Sequence, residues 1–586
     1  MKSERMRKVN MFVVLGMLLF FTPKNLNAYV HGLEGLAPTL SPNVPGIERP
    51  FPRDQEKFTF AIIGDKTGGG EKNWYIFDRA MDEVSHLRPD FAIMVGDLIQ
   101  GYTSDVEVVE VEWKKFLEHA NRIRIPLFFL PGNHDISNKV MYDYWKANVG
   151  KTYYSFNYKG CHFMLLNTEE GWRSGETTFG LEQMEWIQMD IAAHRETKHI
   201  FIFMHRPVWY YTGEEYAQWE MIESWLEGLP VTVFAGHFHG LAYEMRHNRP
   251  YFVLSATGGG LTPSEVLEYG SFHHYTTVTV DGDAVHIAII EPGSLHPYDI
   301  APREFREKIS QLFTWEKHFP YTQDLNEGQF IGHLKNTLEK KVTATLKFSI
   351  PDGSSWDITP REIRAVVKPG RTADFVFKAS CLDFLPLPSV TYEISYGGTQ
   401  VRQWSDHFAP VPVENLIPIK EWMVIGPFDL GVREDADDAE VERAIPAFAQ
   451  ALEPEKTWER TETYLVGSEQ VTWQEAMTDN QGWLDLKSIY SDDFVIAYGL
   501  SYVYSPSDRQ VFASIQSDDI TKILVNQKET LPYLGYSSRP NYFILTLKKG
   551  WNTVLVKCAE YTGMWGYSLH VSDPNAELRF ATSPSE

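Results

Sequence analysis

Short hydrophobic runs that each lead into a small polar cluster recur through the first half of the chain. Five of them occupy residues 60–63, 91–95, 127–130, 200–203 and 231–234. Brief apolar runs with such endings are typical of buried β-strands. The pattern therefore predicts a core built on strands that come from well-separated parts of the sequence.

The segments between these runs show the spacing of amphipathic helices. Residues 74–87, 106–121 and 181–194 place apolar side chains at helical intervals. Further strands are predicted at residues 153–158, 162–166, 251–255 and 275–290. Strands that alternate with helices predict an α/β domain in this half of the chain.

The polar clusters that follow the hydrophobic runs carry residue types that bind metals. They are residues 64–65, 96–97, 132–135, 204–205 and 236–239. Open α/β folds bind ligands at the rim where side chains just past neighbouring strands converge. Three Asp, one Asn and four His would meet there. Imidazole and carboxylate together favour zinc, manganese or iron over calcium.

The order of the five clusters resembles the calcineurin-like metallophosphoesterases. The blocks of that family run D-x-H, GD, GNH(D/E), H and GHxH, and the similarity covers residues 57–292. The resemblance implies an α/β/β/α four-layer sandwich that binds two divalent metal ions, drawn from manganese, iron or zinc. It also implies that metal-activated water hydrolyses a phosphoester.

The resemblance assigns metal-ligand roles to six positions. Asp65 and His239 resemble ligands of the first metal, and Asp97 resembles the carboxylate that bridges both metals. The remaining positions resemble ligands of the second metal: Asn133, His205 and His237.

Two further positions bear on this expected centre. His134 resembles the family histidine that is not a ligand, contacts the phosphate and assists the leaving group. Histidine suits a proton donor because it titrates near neutral pH. Thr67 stands where the family has a ligand histidine. A neutral hydroxyl is a weak ligand, so we expect the first metal site to be the weaker one.

Other polar and aromatic residues near the clusters have two interpretations. Asp135 either orients His134 by a hydrogen bond or caps the loop. The aromatic residues of 207–211 either stack on a ring of the substrate or form the hydrophobic underside of a helix. We expect structural roles for four more histidines, although either of the last two could line the site: His162, His199, His273 and His274.

The N-terminal residues have the pattern of a secretory signal peptide. Basic residues precede an apolar run at 11–21, and a small-residue site ends at Ala28. About eleven apolar residues are too few to span a bilayer, so we expect no stable membrane anchor. Residues 1–28 are thus predicted to be the signal peptide and residues 29–56 a proline-rich lead-in to a secreted or periplasmic protein.

Charge and cysteine content narrow the range of partners. The chain has 586 residues and a net charge of −24, which disfavours a long nucleic acid because phosphate binding needs clustered Lys and Arg. A small phosphoester remains compatible, since bound metals reverse the local field. The chain contains only three cysteines, so we do not expect disulfides to hold an exported protein of this size together.

Beyond the predicted metallophosphoesterase domain at 57–297, the pattern changes to alternating strands. We predict a helical connector at 298–324, an immunoglobulin-like sandwich at 325–412 and a galactose-binding-like jelly roll at 413–586. Within the last domain, residues 543–547 and 553–557 are predicted to pair as a hairpin. The fold class is therefore an α/β sandwich followed by two all-β sandwich domains.

The predicted function is that of an exported, metal-dependent phosphoesterase acting on phosphomonoesters or phosphodiesters. One alternative is a phosphodiesterase directed at nucleotides or lipid-derived esters. The other is a surface glycan-binding protein with an inactive phosphoesterase domain, in which Trp565 and Tyr567 contact the glycan. Aromatic residues near a terminal strand are more often core residues, and specificity depends on loops that the sequence does not reveal.

Overall fold

A computed structural model describes most of the chain from Lys57 onward. The described residues are 57–103, 105–170, 178–319, 326–409, 411, 416–430, 448, 450–457, 463–466, 469–490, 494–534, 537–560, 565–573 and 575–584. The predicted signal peptide and lead-in lie outside them. Within the described part of the chain, no helix is long and apolar enough to cross a membrane. The chain divides into two compact units, the first ending at Arg306, and each is described by itself.

The first unit alternates strands with helices, as the sequence predicts. Its helices are α1 (Trp74–Leu87), α2 (Val106–Ala120), α3 (Lys139–Asn148), α4 (Leu181–Ala193), α5 (Glu214–Trp225) and α6 (Arg303–Ser310). Its strands are β1 (Lys57–Ile63), β2 (Phe91–Met94), β3 (Leu127–Phe129), β4 (Tyr154–Tyr158), β5 (Cys161–Leu165), β6 (His199–Met204), β7 (Val231–Ala235), β8 (Ala242–Arg246), β9 (Arg249–Val253), β10 (Tyr275–Asp281), β11 (Ala284–Glu291) and β12 (Ser294–Pro297). Short 3₁₀ turns lie at Glu71–Asn73, Val208–Tyr210 and Leu267–Tyr269.

Two six-stranded sheets form the middle of this unit. One has the order β12-β11-β10-β1-β2-β3 and the other the order β4-β5-β6-β7-β9-β8. Alternate side chains of β1 explain the layering, because successive residues of a strand point to opposite faces. Phe60 and Ile62 pack with residues of the other sheet, whereas Ala61 and Ile63 pack with residues of α1 and α2. The four-layer α/β/β/α prediction is confirmed.

The strand directions bring distant residues to one edge of the molecule. Strands β1, β2 and β3 run parallel to one another. Strands β5, β6 and β7 are likewise parallel in the second sheet. The residues that follow the carboxyl ends of parallel strands therefore emerge at a common edge, where α/β folds bind ligands.

Helices α3 and α5 have no counterpart among the sequence predictions. Helix α3 is short, and its buried side chains are Met141, Tyr142 and Trp145. Its start is fixed by Asn138, whose side-chain oxygen accepts a hydrogen bond from the backbone N–H of Met141. This capping contact satisfies a backbone donor that the first helical turn leaves free.

The second unit consists mainly of strands. The first group is β13 (Phe313–His318), β14 (Asn326–Lys335), β15 (Val342–Ser349), β16 (Asp357–Thr359), β17 (Glu362–Val367), β18 (Thr372–Cys381), β19 (Ser389–Tyr396) and β20 (Thr399–His407). They form two four-stranded sheets, β13-β14-β18-β16 and β17-β15-β19-β20. Phe330 of β14 and Phe348 of β15 stack between them, which makes this group a β-sandwich.

A second group of strands follows toward the C-terminus. It contains β21 (Ile417–Pro418), β22 (Glu421–Asp429), β23 (Thr463–Val466), β24 (Glu469–Thr472), β25 (Gln474–Met477), β26 (Trp483–Asp485), β27 (Val495–Ser505), β28 (Arg509–Asp518), β29 (Ile520–Val525), β30 (Lys528–Leu534), β31 (Ser537–Leu547), β32 (Gly550–Glu560), β33 (Gly566–Val571) and β34 (Arg579–Ala581), with a short helix, α7, at Glu453–Thr457. Its main sheets follow the orders β21-β33-β28-β31 and β25-β22-β27-β32-β29-β30. Their apolar faces share one core, as in a β-sandwich.

The predicted helical connector at 298–324 is wrong over much of its length. Among its described residues, 298–319, only α6 is an α-helix, and residues Phe313–His318 form strand β13, which pairs with β14. Phe313 and Trp315 are two residues apart, so a strand places both rings on one face. They pack against Phe375 and Phe377 respectively.

The predicted hairpin between residues 543–547 and 553–557 is also wrong. Strand β31 pairs with β28, whereas β32 pairs with β27 and β29 in the other sheet. The intervening loop therefore crosses from one sheet to the other. Asn552 fixes this crossing, because its side chain accepts from Lys548 N at 2.7 Å and donates to the Val503 carbonyl at 3.2 Å.

Burial decides the roles of two aromatic residues and three thiols in the chain. Trp565 and Tyr567 are 1% and 0% exposed, so they are core residues and cannot contact a glycan. The cysteines are all free and buried: Cys161, Cys381 and Cys558. No disulfide links them, as the sequence predicts.

His199, the first residue of β6, provides a test of stability in acid. Burial lowers the pKa of His199 to about 4, below its value of about 6.5 in an unfolded chain. The unfolded chain therefore takes up a proton first, and this site lowers the stability as the pH falls from 6.5 to 4. We expect His199→Gln to remove on the order of 3 kcal/mol of that loss.

Denaturant unfolding of metal-free protein between pH 7 and pH 4 measures this effect. His247→Gln is the matched control, because the His247 side chain is 66% exposed. Equal acid sensitivity of wild type and His199→Gln would contradict the assignment.

Candidate metal centre

The structure brings every predicted ligand to the common edge of the two sheets. Asp65, Asp97 and Asn133 follow β1, β2 and β3 of the first sheet, in chain order. His205 follows β6 of the second sheet, and residues 237–239 follow β7. The contacts described below show that the side chains meet.

One group of ligand atoms surrounds the Nε2 atom of His205. This nitrogen lies 2.9 Å from Asn133 Oδ1, 3.2 Å from Asp97 Oδ1 and 3.2 Å from His237 Nδ1. The other ring nitrogen, Nδ1, lies 2.9 Å from the Val95 carbonyl oxygen, to which an N–H can donate. Nδ1 thereby orients the ring so that Nε2 faces the ligand group.

A second group contains Asp65, Asp97 and His239. Ligand atoms of these three residues all lie within 4.8 Å of one another. His239 Nε2 is 3.3 Å from Asp65 Oδ2, and His239 Nδ1 is 2.7 Å from the Gly260 carbonyl. Asp97 also belongs to the first group, so one carboxylate joins the two.

The chemistry of both groups fits bound cations. Asp65 Oδ1 is buried and has no hydrogen-bond partner among the described residues. A buried carboxylate oxygen without a partner is costly, and a cation removes that cost. Burial alone would lower the pKa of His205, but the Asp97 charge raises it to about 10. In the metal-free chain an imidazolium thus supplies the positive charge that a metal would supply.

The pKa of the neighbouring predicted ligand His237 is shifted in the opposite direction. Burial and the nearby His205 lower the pKa of His237 to about 2, so its ring is neutral and has a free lone pair. A neutral imidazole is the form that binds a metal ion. The environment of the two rings therefore favours one positive charge between them, which a bound cation can supply.

Thr67 does not point away from the centre. Its side chain is buried, and its hydroxyl donates to Asp97 Oδ2 at 3.4 Å. The residue that replaces the family histidine therefore contacts the shared carboxylate. The prediction of a weaker first metal site stays a prediction.

His134 is held beside the shared carboxylate by its backbone and its ring. The backbone N–H of His134 donates to Asp97 Oδ1 at 3.0 Å. His134 Nδ1 lies 2.5 Å from the Gln100 carbonyl oxygen, which accepts an N–H from the ring. This contact fixes the tautomer and leaves Nε2 for other contacts.

Asp135 caps the loops that carry the ligands. Its Oδ1 accepts from Leu98 N at 2.9 Å and Ile99 N at 3.2 Å, and its Oδ2 accepts from Gly132 N at 2.8 Å. The capping interpretation of Asp135 is confirmed, since these bonds tie the loop after β2 to the loop after β3. Burial and the nearby Asp97 charge raise the pKa of Asp135 to about 8.

Two glycines allow the carboxylates to approach the backbone. A Cβ at Gly132 would lie 2.3 Å from Asp97 Oδ1, and a Cβ at Gly236 would lie 2.3 Å from Asp65 Oδ1. Both distances are far shorter than van der Waals contact. Only glycine at these positions leaves room for the two ligands.

Sequence reasoning missed a buried ion pair next to the centre. Arg206 Nε lies 2.9 Å from both carboxylate oxygens of Glu169, and Thr168 Oγ1 accepts from Arg206 N at 3.0 Å. Arg206 directly follows His205, so the pair anchors the end of β6 where that ligand emerges. The sequence offered one signal for this ion pair, because Arg206 directly follows a ligand histidine.

The remaining histidines have structural contacts. His274 Nε2 accepts from Ser255 N at 3.0 Å, and His273 Nδ1 contacts the Ala256 carbonyl at 3.1 Å. His162 forms a separate group with Asp190 and His194, at the start of β5 and the end of α4. Its Nε2 lies 2.8 Å from Asp190 Oδ2.

Comparison with known proteins shows that the first half of the chain is similar to phosphoesterases. The calcineurin-like phosphoesterase family profile matches residues 58–241. Serine/threonine-protein phosphatase CPPED1 of Homo sapiens is 27% identical over 221 residues, which cover 33% of this chain and 69% of that protein. Purple acid phosphatase 15 of Arabidopsis thaliana is 28% identical over 215 residues, which cover 29% of this chain and 38% of that protein.

Similar solved structures include two proteins with low sequence identity. GAP50, the anchor in the inner membrane complex of Plasmodium, has a TM-score of 0.33 and 13% identity over 44% of this chain and 93% of its own. A putative 5′-nucleotidase from Staphylococcus aureus has a TM-score of 0.28 and 14% identity over 46% of this chain and 61% of its own.

The capping role of Asp135 generates a prediction about metal affinity. Asp135→Ala leaves three backbone N–H groups without their acceptor, so the loops that carry Asp97 and Asn133 lose their spacing. We expect metal affinity to fall roughly 10- to 100-fold, as it does when groups that support metal ligands are removed.

Metal titration of demetallated protein measures this change. Asp283→Ala, in the exposed turn between β10 and β11, is the control and should bind metal like the wild type. Unchanged affinity in Asp135→Ala would contradict the role.

Proposed function

We propose that two divalent ions serve this chain, which is a metal-dependent phosphoric ester hydrolase because residues 58–241 match the calcineurin-like phosphoesterase family. Asp65, Asp97 and His239 would hold one ion. The other would be held by the shared carboxylate together with three further residues: Asn133, His205 and His237. Bound metals of this kind polarise the phosphoryl group and lower the pKa of a water molecule.

The observation that carries this proposal is the position of Asp97. It is the one residue common to both groups of ligand atoms in the described part of the centre. Two cations that share one carboxylate would lie close enough together to clamp a phosphoryl group between them. Manganese, iron and zinc all suit the mixture of imidazole, carboxylate and amide ligands.

His134 is proposed to donate the proton that the leaving oxygen requires. Its Nδ1–H stays bound to the Gln100 carbonyl, so the transferable proton is on Nε2 of the imidazolium. When the P–O bond breaks, the leaving oxygen keeps the bonding electrons and takes this proton. The ring returns to its neutral form.

The substrate is proposed to be a small phosphoester, and the protein is proposed to be exported. Both named relatives are phosphatases, which favours monoesters over diesters. Export is supported by the signal-peptide pattern of residues 1–28. The glycan-binding alternative is weakened, because both aromatic residues that it relies on are buried.

The direct test is hydrolysis by purified protein loaded with manganese, iron or zinc. A panel of phosphomonoesters and phosphodiesters should be hydrolysed only with metal present, and a chelator should abolish turnover. Hydrolysis that survives complete metal removal would contradict the proposal.

Substitution of the shared carboxylate should affect both metals. Asp97→Asn removes charge from both ligand groups, whereas Asp65→Asn removes charge from one. We expect the first variant to lose both ions after dialysis and the second to keep one, as measured by elemental analysis. Equal metal content in Asp97→Asn and wild type would contradict the shared role.

The proton-donor role of His134 predicts a dependence on the leaving group. His134→Ala should keep its metal and lower turnover by roughly 10²- to 10⁴-fold for alkyl esters. The loss should shrink for 4-nitrophenyl phosphate, because an acidic leaving group needs no proton. Steady-state kinetics and elemental analysis measure both quantities, and an equal loss for all esters would refute the role.

A further inference from the structure

Two large aromatic side chains are exposed immediately beside the metal centre. Phe238 is 40% exposed and Tyr102 is 47% exposed. A single exposed apolar side chain is common on any protein. Here each ring contacts a histidine of the site, Phe238 beside His237 and Tyr102 beside His134, so apolar surface is present among charged and polar groups.

Phe238 is fixed between two of the ligand histidines. His237 and His239 both have positive φ angles, of 74° and 46°. The His237 N–H donates to Asp65 Oδ2 at 2.7 Å, and the Phe238 N–H donates to the Gly236 carbonyl at 2.9 Å. These contacts define the backbone of the turn and hold the Phe238 ring centre 5.2 Å from that of His237.

A stack of side chains supports Phe238 from behind. Its ring stacks on Tyr210 at 5.7 Å with 27° between the planes. The Arg303 guanidinium lies 3.9 Å from the centre of the Tyr210 ring. Glu244 holds Arg303 with two contacts, of 2.8 and 3.0 Å, and also accepts from Trp209 Nε1 at 2.7 Å.

Such support makes Phe238 a preorganised surface. Aromatic pairs at this separation are favourable, and a cation over a ring adds to the attraction. The ring of Phe238 therefore does not need to be ordered when a ligand arrives, which removes a cost of binding.

Tyr102 occupies the side of the centre where His134 lies. Its hydroxyl accepts from Asn133 Nδ2 at 2.8 Å. Its ring meets the His134 ring edge to face, with centres 4.7 Å apart. The group that His134 protonates is the leaving oxygen, so the atoms beyond that oxygen lie close to this aromatic ring.

We propose that Phe238, supported by Tyr210 and assisted by Tyr102, binds a planar aromatic ring in the leaving group of the substrate. The inference rests on the proposed phosphoesterase function and names its substrate class, phosphoesters of aryl alcohols or nucleosides. Any flat aromatic ring can stack on Phe238, so the ring of an aryl alcohol and the base of a nucleoside would bind in the same way. Ring stacking of this kind changes affinity roughly 5- to 100-fold.

Two pairs of matched esters test the ring site. Benzyl phosphate and cyclohexylmethyl phosphate share the same carbon skeleton and an alkyl leaving oxygen, and only the first has a flat, aromatic ring. Adenosine 5′-phosphate and ribose 5-phosphate differ by the nucleobase. We expect wild-type kcat/KM to be roughly 5- to 100-fold higher for the aromatic member of at least one pair. The pair that shows the preference identifies the source of the ring.

Substitutions then locate the preference. Phe238→Ala should abolish the preference by raising KM of the aromatic esters roughly 5- to 100-fold more than KM of the non-aromatic esters. Phe238→Trp should restore it, and Phe238→Leu should not. Tyr298→Ala is the matched control, because Tyr298 is 42% exposed and its ring packs on Tyr243 and Phe252 instead.

A binding measurement separates failure of this inference from failure of the proposed function. Benzylphosphonate, which cannot be hydrolysed, should bind the metal-loaded protein more tightly than cyclohexylmethylphosphonate in calorimetry, and Phe238→Ala should remove the difference. Absence of any ester hydrolysis would refute the phosphoesterase function alone. Equal binding of the two phosphonates, or a preference that survives Phe238→Ala, would overturn the ring site.

Discussion

The buried carboxylate of Asp97 imposes the constraint on which the catalytic unit depends. A charge taken out of water must be surrounded by donors or cations, or the group becomes neutral. Here the neighbours of that charge come from both sheets: the hydroxyl of Thr67, the backbone of His134 and the ring of His205. The sheets must therefore hold a fixed spacing at this edge, and the aromatic core between them maintains it.

Much of the fold followed from local sequence because the strands are marked twice, by an apolar run and by the polar residues that end it. Parallel strands send those endings to one edge, so the grouping of Asp65, Asn133 and His205 could be predicted before any contact was known. The predictions failed where the structure of a segment depends on which strands it pairs with. Residues 543–547 and 553–557 read as a hairpin from their spacing, yet each joins a different sheet. Neighbouring sequence does not specify that choice.

Residues around the centre were predictable only when their chemistry is local. Ligand histidines stand in short motifs, so they were found. The support of Phe238 by Tyr210 and Arg303 joins residues far apart in the chain, and the motif that contains Phe238 indicates neither partner. Asp135 shows an intermediate case. Its neighbours in sequence pointed to two roles, and only the contacts with Leu98 and Ile99 distinguished them.

The burial of the three thiols determines how readily oxidants react with the folded chain. Burial raises the pKa of Cys161 to about 11 and that of Cys381 to about 12, and it also raises that of Cys558. At pH 7 the Cys161 thiol is therefore in its unreactive protonated form. In the folded chain these thiols are therefore poor targets for oxidants. The burial of Cys161 within β5 therefore protects this thiol from oxidation without a disulfide partner.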